Sequence, residues 1–381
     1  MSKSKGEKPS KPYPEFPLFA HASGRWCKKI NGKFHYFGPW RDHEAALARY
    51  LEQVDYLKAG RKPPNPEAKG LRLWGLCNVF CETQDYKLSV GEIVRSTHQD
   101  YVETCERIVK FFGRDTIVEH LQAADFQQLR EEMAKTLGLR TIGNEINRIR
   151  IVLKYAYDEG LIAHPVRFGN QFKRPPKSAL RRQKQAKGPQ MFTVEQAREL
   201  IRRATPPMRA MLLLAANCGF GNNDCASLTF QYLDLKGGWH TLPRPKTGIE
   251  RRCPLWPETV AAIEAYLPRR PNPQHEEDQD LVFITKYGLR YVRDSENAVS
   301  KEFAKIRGFA GTKGTFYWMR HTFETIGGES RDQVAVDHIM GHAKETMATE
   351  YREWIGPERL ESVVSFVREW LYPVPRIVVL P

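Results

Sequence analysis

The sequence predicts a multidomain protein, mainly α-helical with small β-sheets, and three observations carry that expectation. Its 381 residues exceed what one hydrophobic core ordinarily serves, so two or three domains are expected. Apolar residues recur every three or four positions through most of residues 71–163 and again in long stretches after 191, the spacing of amphipathic helices. Near the N-terminus the pattern shortens to runs broken by Ser23-Gly24 and Asn31-Gly32, which are turn signals between strands.

Composition narrows the class. With 41% hydrophobic and 27% charged residues the chain reads as globular, not as disordered along its whole length. A formal charge of +14 favours a polyanionic partner, nucleic acid first and an anionic membrane second. The longest apolar run, "AMLLLAA" at 210–216, is far too short to span a bilayer. The opening "MSKSKGEKPSKPYP" is basic without an apolar segment, so residues 1–15 read as a flexible basic arm and not as a secretory signal. Seven cysteines (Cys27, Cys77, Cys81, Cys105, Cys218, Cys225, Cys253) are scattered, and the pair Cys77/Cys81 has no second pair near it. Reduced, mostly buried thiols in a cytoplasmic protein follow, with no metal site and no cofactor.

In chain order, "FPLFAHA", "GRWCKKI" and "KFHYFG" read as three short strands, and "RDHEAALARYLEQVDYL" as a helix whose stripe is Ala45, Ala46, Tyr50, Val54 and Leu57. Together they make a sheet-and-helix module at 16–60. Its basic residues Arg25, Lys28, Lys29 and Lys33 interleave with Trp26, Phe34, Tyr36 and Phe37, a surface suited either to a DNA groove or to a protein partner. Residues 71–163 read as a helical domain: Tyr101, Cys105, Ile108 and Phe112 lie along one helix ended by Gly113, and Ile142, Ile146, Ile149, Leu153 and Tyr157 along another. Residues 164–190 carry eight Lys or Arg and no acid, a basic linker that either is solvated or tracks a phosphate backbone through Lys173, Arg174, Arg181 and Arg182. From 191 to 381 helices mix with a hairpin turning near Lys246-Thr247-Gly248, a strand at "DLVFIT" and a short extended tail, "PRIVVLP".

The last region holds the chemistry. Its polar candidates are Lys246, Arg320, His321, His342 and Tyr351. Taken singly each is bland: an arginine ahead of an aromatic helix usually makes a surface ion pair, and a helix tyrosine is usually half-buried packing. As a set they suit a phosphodiester. A tyrosine oxygen attacks phosphorus and keeps the bond energy as a phosphotyrosine, Arg and Lys neutralise the non-bridging oxygens, and a Lys or His protonates the leaving 5′ oxygen. Such a reaction needs neither metal nor nucleotide.

At these residues the chain resembles the tyrosine recombinases, or phage-type integrases. "MRHTFET" looks like the family's Arg-His motif with Arg320 as its second catalytic arginine, "MGH" supplies His342, and Tyr351 follows nine residues later at the nucleophile's place. "PKTGIERRCPLW" resembles the hairpin that bears the catalytic lysine, matching Lys246. The resemblance implies a tyrosine recombinase-type α/β catalytic domain at 191–381, a helical core-binding domain at 71–163 and an arm-binding module at 16–60. It implies a site-specific recombinase or integrase of a mobile genetic element, acting on double-stranded DNA through a 3′-phosphotyrosine. It further implies self-assembly up to a tetramer on DNA, a tail that docks on a neighbouring protomer, and a cytoplasmic, nucleoid-associated location. A catalytically inactive DNA-binding protein of the same fold is the alternative, and a relaxing enzyme like a type IB topoisomerase a third reading.

Two positions depart from the family pattern. Gly221 stands where "GFGNND" should carry the first catalytic arginine, although Asp224 keeps the acid position, and Tyr317 stands where a histidine precedes the second arginine. Losing a preorganised donor to the transition state costs about 2.7–4 kcal/mol, roughly 10²–10³ in rate. Two replacements are open: Arg244, which on a strand would share a face with Lys246, or the backbone N–H groups of a turn at 219–222. Tyr317 can donate through its hydroxyl.

Overall fold

The structure, a computed structural model, describes residues 8–58, 60, 63, 70–293, 296–342 and 354–373. The chain forms two compact units, residues 1–183 and 184–381.

In the first unit, strands β1 (Phe19–His21), β2 (Arg25–Ile30) and β3 (Lys33–Pro39) form an antiparallel sheet in the order β1-β2-β3. The β2–β3 turn takes positive φ at both Asn31 (49°) and Gly32 (81°), the conformation that Asn-Gly adopts at little cost. Helix α1 (His43–Lys58) covers one face, burying Ala46, Tyr50, Val54 and Leu57 against Trp26 and Phe37. Ala45, expected on that stripe, is exposed. The expected basic-aromatic surface also divides. Trp26 and Phe37 are each 1% exposed and belong to the core, whereas Phe34 and Tyr36 remain outside. Lys28 pairs with His35 and Lys29 with Phe34, and because successive strand residues point to opposite faces the two lysines do not share one.

Helices α2 (Leu73–Ser89), α3 (Arg95–Phe112), α4 (Ala123–Thr136) and α5 (Leu139–Asp158) follow. Their core gathers Ile108, Phe112, Phe126, Ile146, Ile149 and Leu153, with Glu145 buried among them and held by Arg107 (2.9 Å) and Arg148 (2.7 Å). Tyr157, expected on the inner stripe of α5, is exposed. The chain beyond 163 is not a tether throughout: the rings of Phe168 and Phe172 lie 4.8 and 5.2 Å from Phe126, so apolar burial draws this stretch onto the helical core. Past it, Lys177–Ala186 forms α6, a helix with no buried residue.

In the second unit, α7 (Val194–Arg203) starts with a capping box in which Thr193 and Gln196 exchange hydrogen bonds. Helix α8 (Pro206–Cys218) is buried at every position from Ala210 to Cys218, which is why its sequence shows no polar face. Around it pack α7, α10 (Pro257–Tyr266), α12 (Tyr317–Gly328) and α14 (Pro357–Leu371). Between them lie α9 (Asn222–Ala226), the sheet β4-β5-β6 (Leu233–Asp234, Trp239–His240, Cys253–Pro254), the hairpin β7 (Val292–Arg293) and β8 (Glu296–Asn297), α11 (Ala298–Phe309) and α13 (Gln333–Met340). The expected strand "DLVFIT" makes only isolated bridges, Thr229 to Leu281 and Ile284 to Arg290. Its run Val282-Phe283-Ile284 is buried at consecutive positions, serving as core rather than as a ladder.

Candidate active site

Two helix ends create the central feature. Gly219 (φ 63°) caps α8 and Gly341 (φ 62°) caps α13, each in the left-handed conformation that stops a helix and leaves its last carbonyls without helical partners. Arg320, on the first turn of α12, takes both ends. Its Nη1 donates to Gly219 O and its Nη2 to Met340 O at 2.9 Å. Only 2% of it is exposed; burial pushes its pKa below the ordinary arginine value, and neighbouring Asp224 opposes that. His321 is one residue on, about 100° around the helix, and so faces away: it is exposed and sets its ring edgewise to Tyr317 at 5.3 Å.

His342 follows the Gly341 cap, and its Nε2 lies 3.1 Å from Arg320 Nη2. An arginine only donates, so Nε2 accepts and the imidazole proton sits on Nδ1. There Glu324 and Asp337 each stand at 3.5 Å. Burial lowers the His342 pKa; Glu324 works against this, while Arg320 and Arg244 add to it. A neutral imidazole accepting from Arg320 is the outcome.

In front of Arg320 opens a cleft of about 450 Å³, lined among others by Gly221, Arg244, Lys246, Tyr317 and Arg320. Lys246 reaches it from the turn where it was expected, and Arg244 from just ahead of that turn, outside any strand. The Arg244 carbonyl accepts from Thr247 N (3.1 Å) and Gly248 N (2.8 Å), and Pro245 between them has no N–H to offer a ladder. Arg244 Nη1 donates to Gly341 O at 3.0 Å, and a Cβ on residue 341 would come within 2.9 Å of Arg244 Cβ, so the glycine of the Gly-His pair makes room for this arginine. The turn at 219–222 is less available than expected, because Gly221 N already donates to Asp224 Oδ2 at 2.6 Å. Helix α9 is also only five residues long.

Sequence reasoning missed Arg251. Its side chain is fully buried, with Nη2 donating to Asp224 Oδ1 at 2.6 Å, Nε to Leu242 O at 2.7 Å, and the guanidinium 4.5 Å over the Phe220 ring. A signal existed in "RRCPLW": Arg251 leads into a run buried from Cys253 to Trp256, while Arg252 stays out over Trp239 at 4.0 Å.

Tyr351 and the tail "RIVVL" lie outside the described residues. Arg25, Lys29, Lys33, Lys173, Arg174, Arg181 and Arg182 are exposed and Lys28 is partly so. Among the described residues, two groups bring donor atoms within 4.8 Å of one another, the buried Cys218, His240 and Cys253, and Glu324, Asp337 and His342. The first was not foreseen when the thiols were read as scattered. Burial holds the Cys218 thiol well above its ordinary pKa, which opposes the thiolate a metal requires, and keeps the His240 imidazole well below its own, in the neutral form. Among the described residues no helix is long and apolar enough to cross a membrane.

Residues 190–354 match the phage integrase family. A tyrosine recombinase XerC of Alcanivorax borkumensis is 27% identical over 212 residues, which cover 54% of this chain and 66% of that relative's length. Among solved structures, a lambda integrase dimer bound to a COC′ core site aligns over 91% of this chain and 99% of its own with a TM-score of 0.56 and 14% identity. A lambda integrase tetramer bound to a Holliday junction gives 90%, 99%, 0.57 and 16%. The Tn1549 transposon integrase in complex with transposon right end DNA gives 78%, 100%, 0.54 and 14%. At such identity these likenesses show the fold.

Proposed function

We propose, from the match of residues 190–354 to the phage integrase family, that the chain is a site-specific DNA recombinase that cleaves and rejoins duplex DNA through a 3′-phosphotyrosine. One observation carries the reading: Arg320, Arg244, Lys246 and Tyr317 converge on one cleft, with His342 behind Arg320. Three cations and a phenol there match the charge that develops on a phosphoryl group in transfer. Arg320 and Arg244 hold the non-bridging oxygens, and His342 keeps the Arg320 fork turned toward them. Tyr351 Oη forms the bond to phosphorus as the bond to the 5′ oxygen breaks. The phenol's proton passes to water, and Lys246 supplies one to the leaving oxygen. The reverse attack by a 5′ hydroxyl rejoins the strand.

Double-stranded DNA is the substrate and partner. The basic residues of the sheet module and of 173–182 add phosphate contacts, and assembly of up to four copies on DNA accompanies exchange, as the integrase dimer and tetramer bound to DNA suggest. Work on a chromosomal or element-borne site places the protein with the nucleoid.

The test is a duplex selected for binding from the DNA flanking the protein's own gene, nicked so that the freed strand diffuses away. A covalent adduct with the wild type and none with Tyr351→Phe, at near-equal affinity, is the expected result. Tight binding without any adduct would instead establish an inactive DNA-binding protein.

A further inference from the structure

Asp224 is buried and takes a cation, yet residue 221 does not supply it. The Gly221 backbone is extended (φ −96°, ψ −176°), a conformation open to any residue, so a side chain there meets crowding rather than strain. A Cβ there would stand 3.1 Å from Tyr317 Cε2 and 3.2 Å from Asp224 Oδ2. The Tyr317 ring occupies the room in which an arginine at 221 would begin.

The cation at Asp224 comes from the segment leading into β6. We propose that Arg251 is a positioning residue of the phosphate site: by holding Asp224 Oδ1 it fixes the carboxylate whose Oδ2 ties down Gly221 N and faces Arg320 Nη1. The distances are 2.6, 2.6 and 3.9 Å. The proposal rests on the cleavage reading above. Arg251 does not line the cleft, and it acts on the substrate only through Asp224 and Arg320. Its Leu242 and Phe220 contacts lock the fork in place, while Nη1 has no hydrogen-bond partner among the described residues. A guanidinium buried at the cost of one unpaired nitrogen is held for what its other two nitrogens do. With Asp224 balanced from behind, the Arg320 charge is left for the phosphate in front.

Arg251→Met alone strands a buried carboxylate and is expected to weaken folding, so the informative variant is the double Asp224→Asn/Arg251→Met. Both are made in the full chain and assayed on the nicked duplex of the preceding subsection. The expected result for the double is a thermal midpoint near wild type, retained DNA affinity, and adduct formation slower by about 10²-fold, the scale of a roughly 1 Å misplacement of a reacting group. Wild-type cleavage by the double would reduce the pair to mutual neutralisation and overturn the proposal. Should the double not fold, Arg251→Lys, which keeps the charge but not the second donor, is expected to cleave at an intermediate rate; full wild-type cleavage overturns the proposal equally. If the wild type itself forms no adduct, the functional reading fails, and the positioning is judged separately on [¹⁵N]arginine spectra of the full chain. Slow-rotating Arg320 guanidinium signals that collapse in the double or lysine variant support it, and unchanged signals overturn it.

Discussion

Arg320 commits its guanidinium to two helix ends and to His342 before any substrate arrives. Replacing it by alanine thus strands three acceptors as well as removing a phosphate donor, and each buried acceptor left unpaired costs about 1–3 kcal/mol. Arg244 is the cleaner probe, since among the described residues its side chain donates only to Gly341 O. Arg244→Ala should leave the thermal midpoint nearly unchanged and slow adduct formation by about 10²–10³; cleavage at the wild-type rate would remove Arg244 from the phosphate site. Arg320, His342 and Lys246 were legible in the sequence because each lies in a short motif with a fixed offset. Arg251 was not, because its role depends on a carboxylate 27 residues away. The turn at Lys246 was legible from Gly248, whereas the lack of a strand at Arg244 was not, because Pro245 breaks the alternation just ahead of the turn.

At the scale of elements, the Gly-His pair does two jobs with one glycine. Gly341 ends α13 at φ 62° and lets Arg244 pass. Gly341→Ala should cost about 1–2 kcal/mol from the left-handed backbone alone, read by denaturant unfolding. Its methyl must also push Arg244 aside, so cleavage should fall further than the lost stability accounts for; a loss explained by the folded fraction would show that Arg244 tolerates the shift. Most helices and the Asn31-Gly32 hairpin were legible because periodicity and turn chemistry are local. The strand expected at "DLVFIT" was not, because a short apolar run reads alike whether it enters a ladder or simply fills a core. Trp26 and Phe37 misled in the same way: only the packing of α1 tells which face of the sheet is wet.

For the whole molecule, charge is distributed as well as summed. Lys173, Arg174, Arg181 and Arg182 are exposed, the last two on a helix with no buried residue. If they track phosphates, neutralising all four should weaken binding to every sequence alike and flatten the salt dependence by roughly one unit of slope per lost contact. An unchanged slope, measured by titration at several salt concentrations, would leave α6 as a solvated spacer. The helical character of 177–186 was hidden by its composition, since a run of cations reads as linker whether or not it coils.

The burial of α8 has a further consequence, for biosynthesis. Its flanks are closed by α10, α12 and finally α14, whose Val364 carbonyl accepts from Trp256 Nε1 at 2.9 Å and whose Leu371 carbonyl accepts from Arg198 Nε at 2.5 Å. The ribosome makes α8 more than a hundred residues before α14. Until α14 emerges, a nascent chain carries a largely apolar helix with one side uncovered, exposed to chaperones and to neighbouring chains. Closure of the second unit thus waits until α14 has been made, so a chain terminated before it would keep the first unit and leave the second one open.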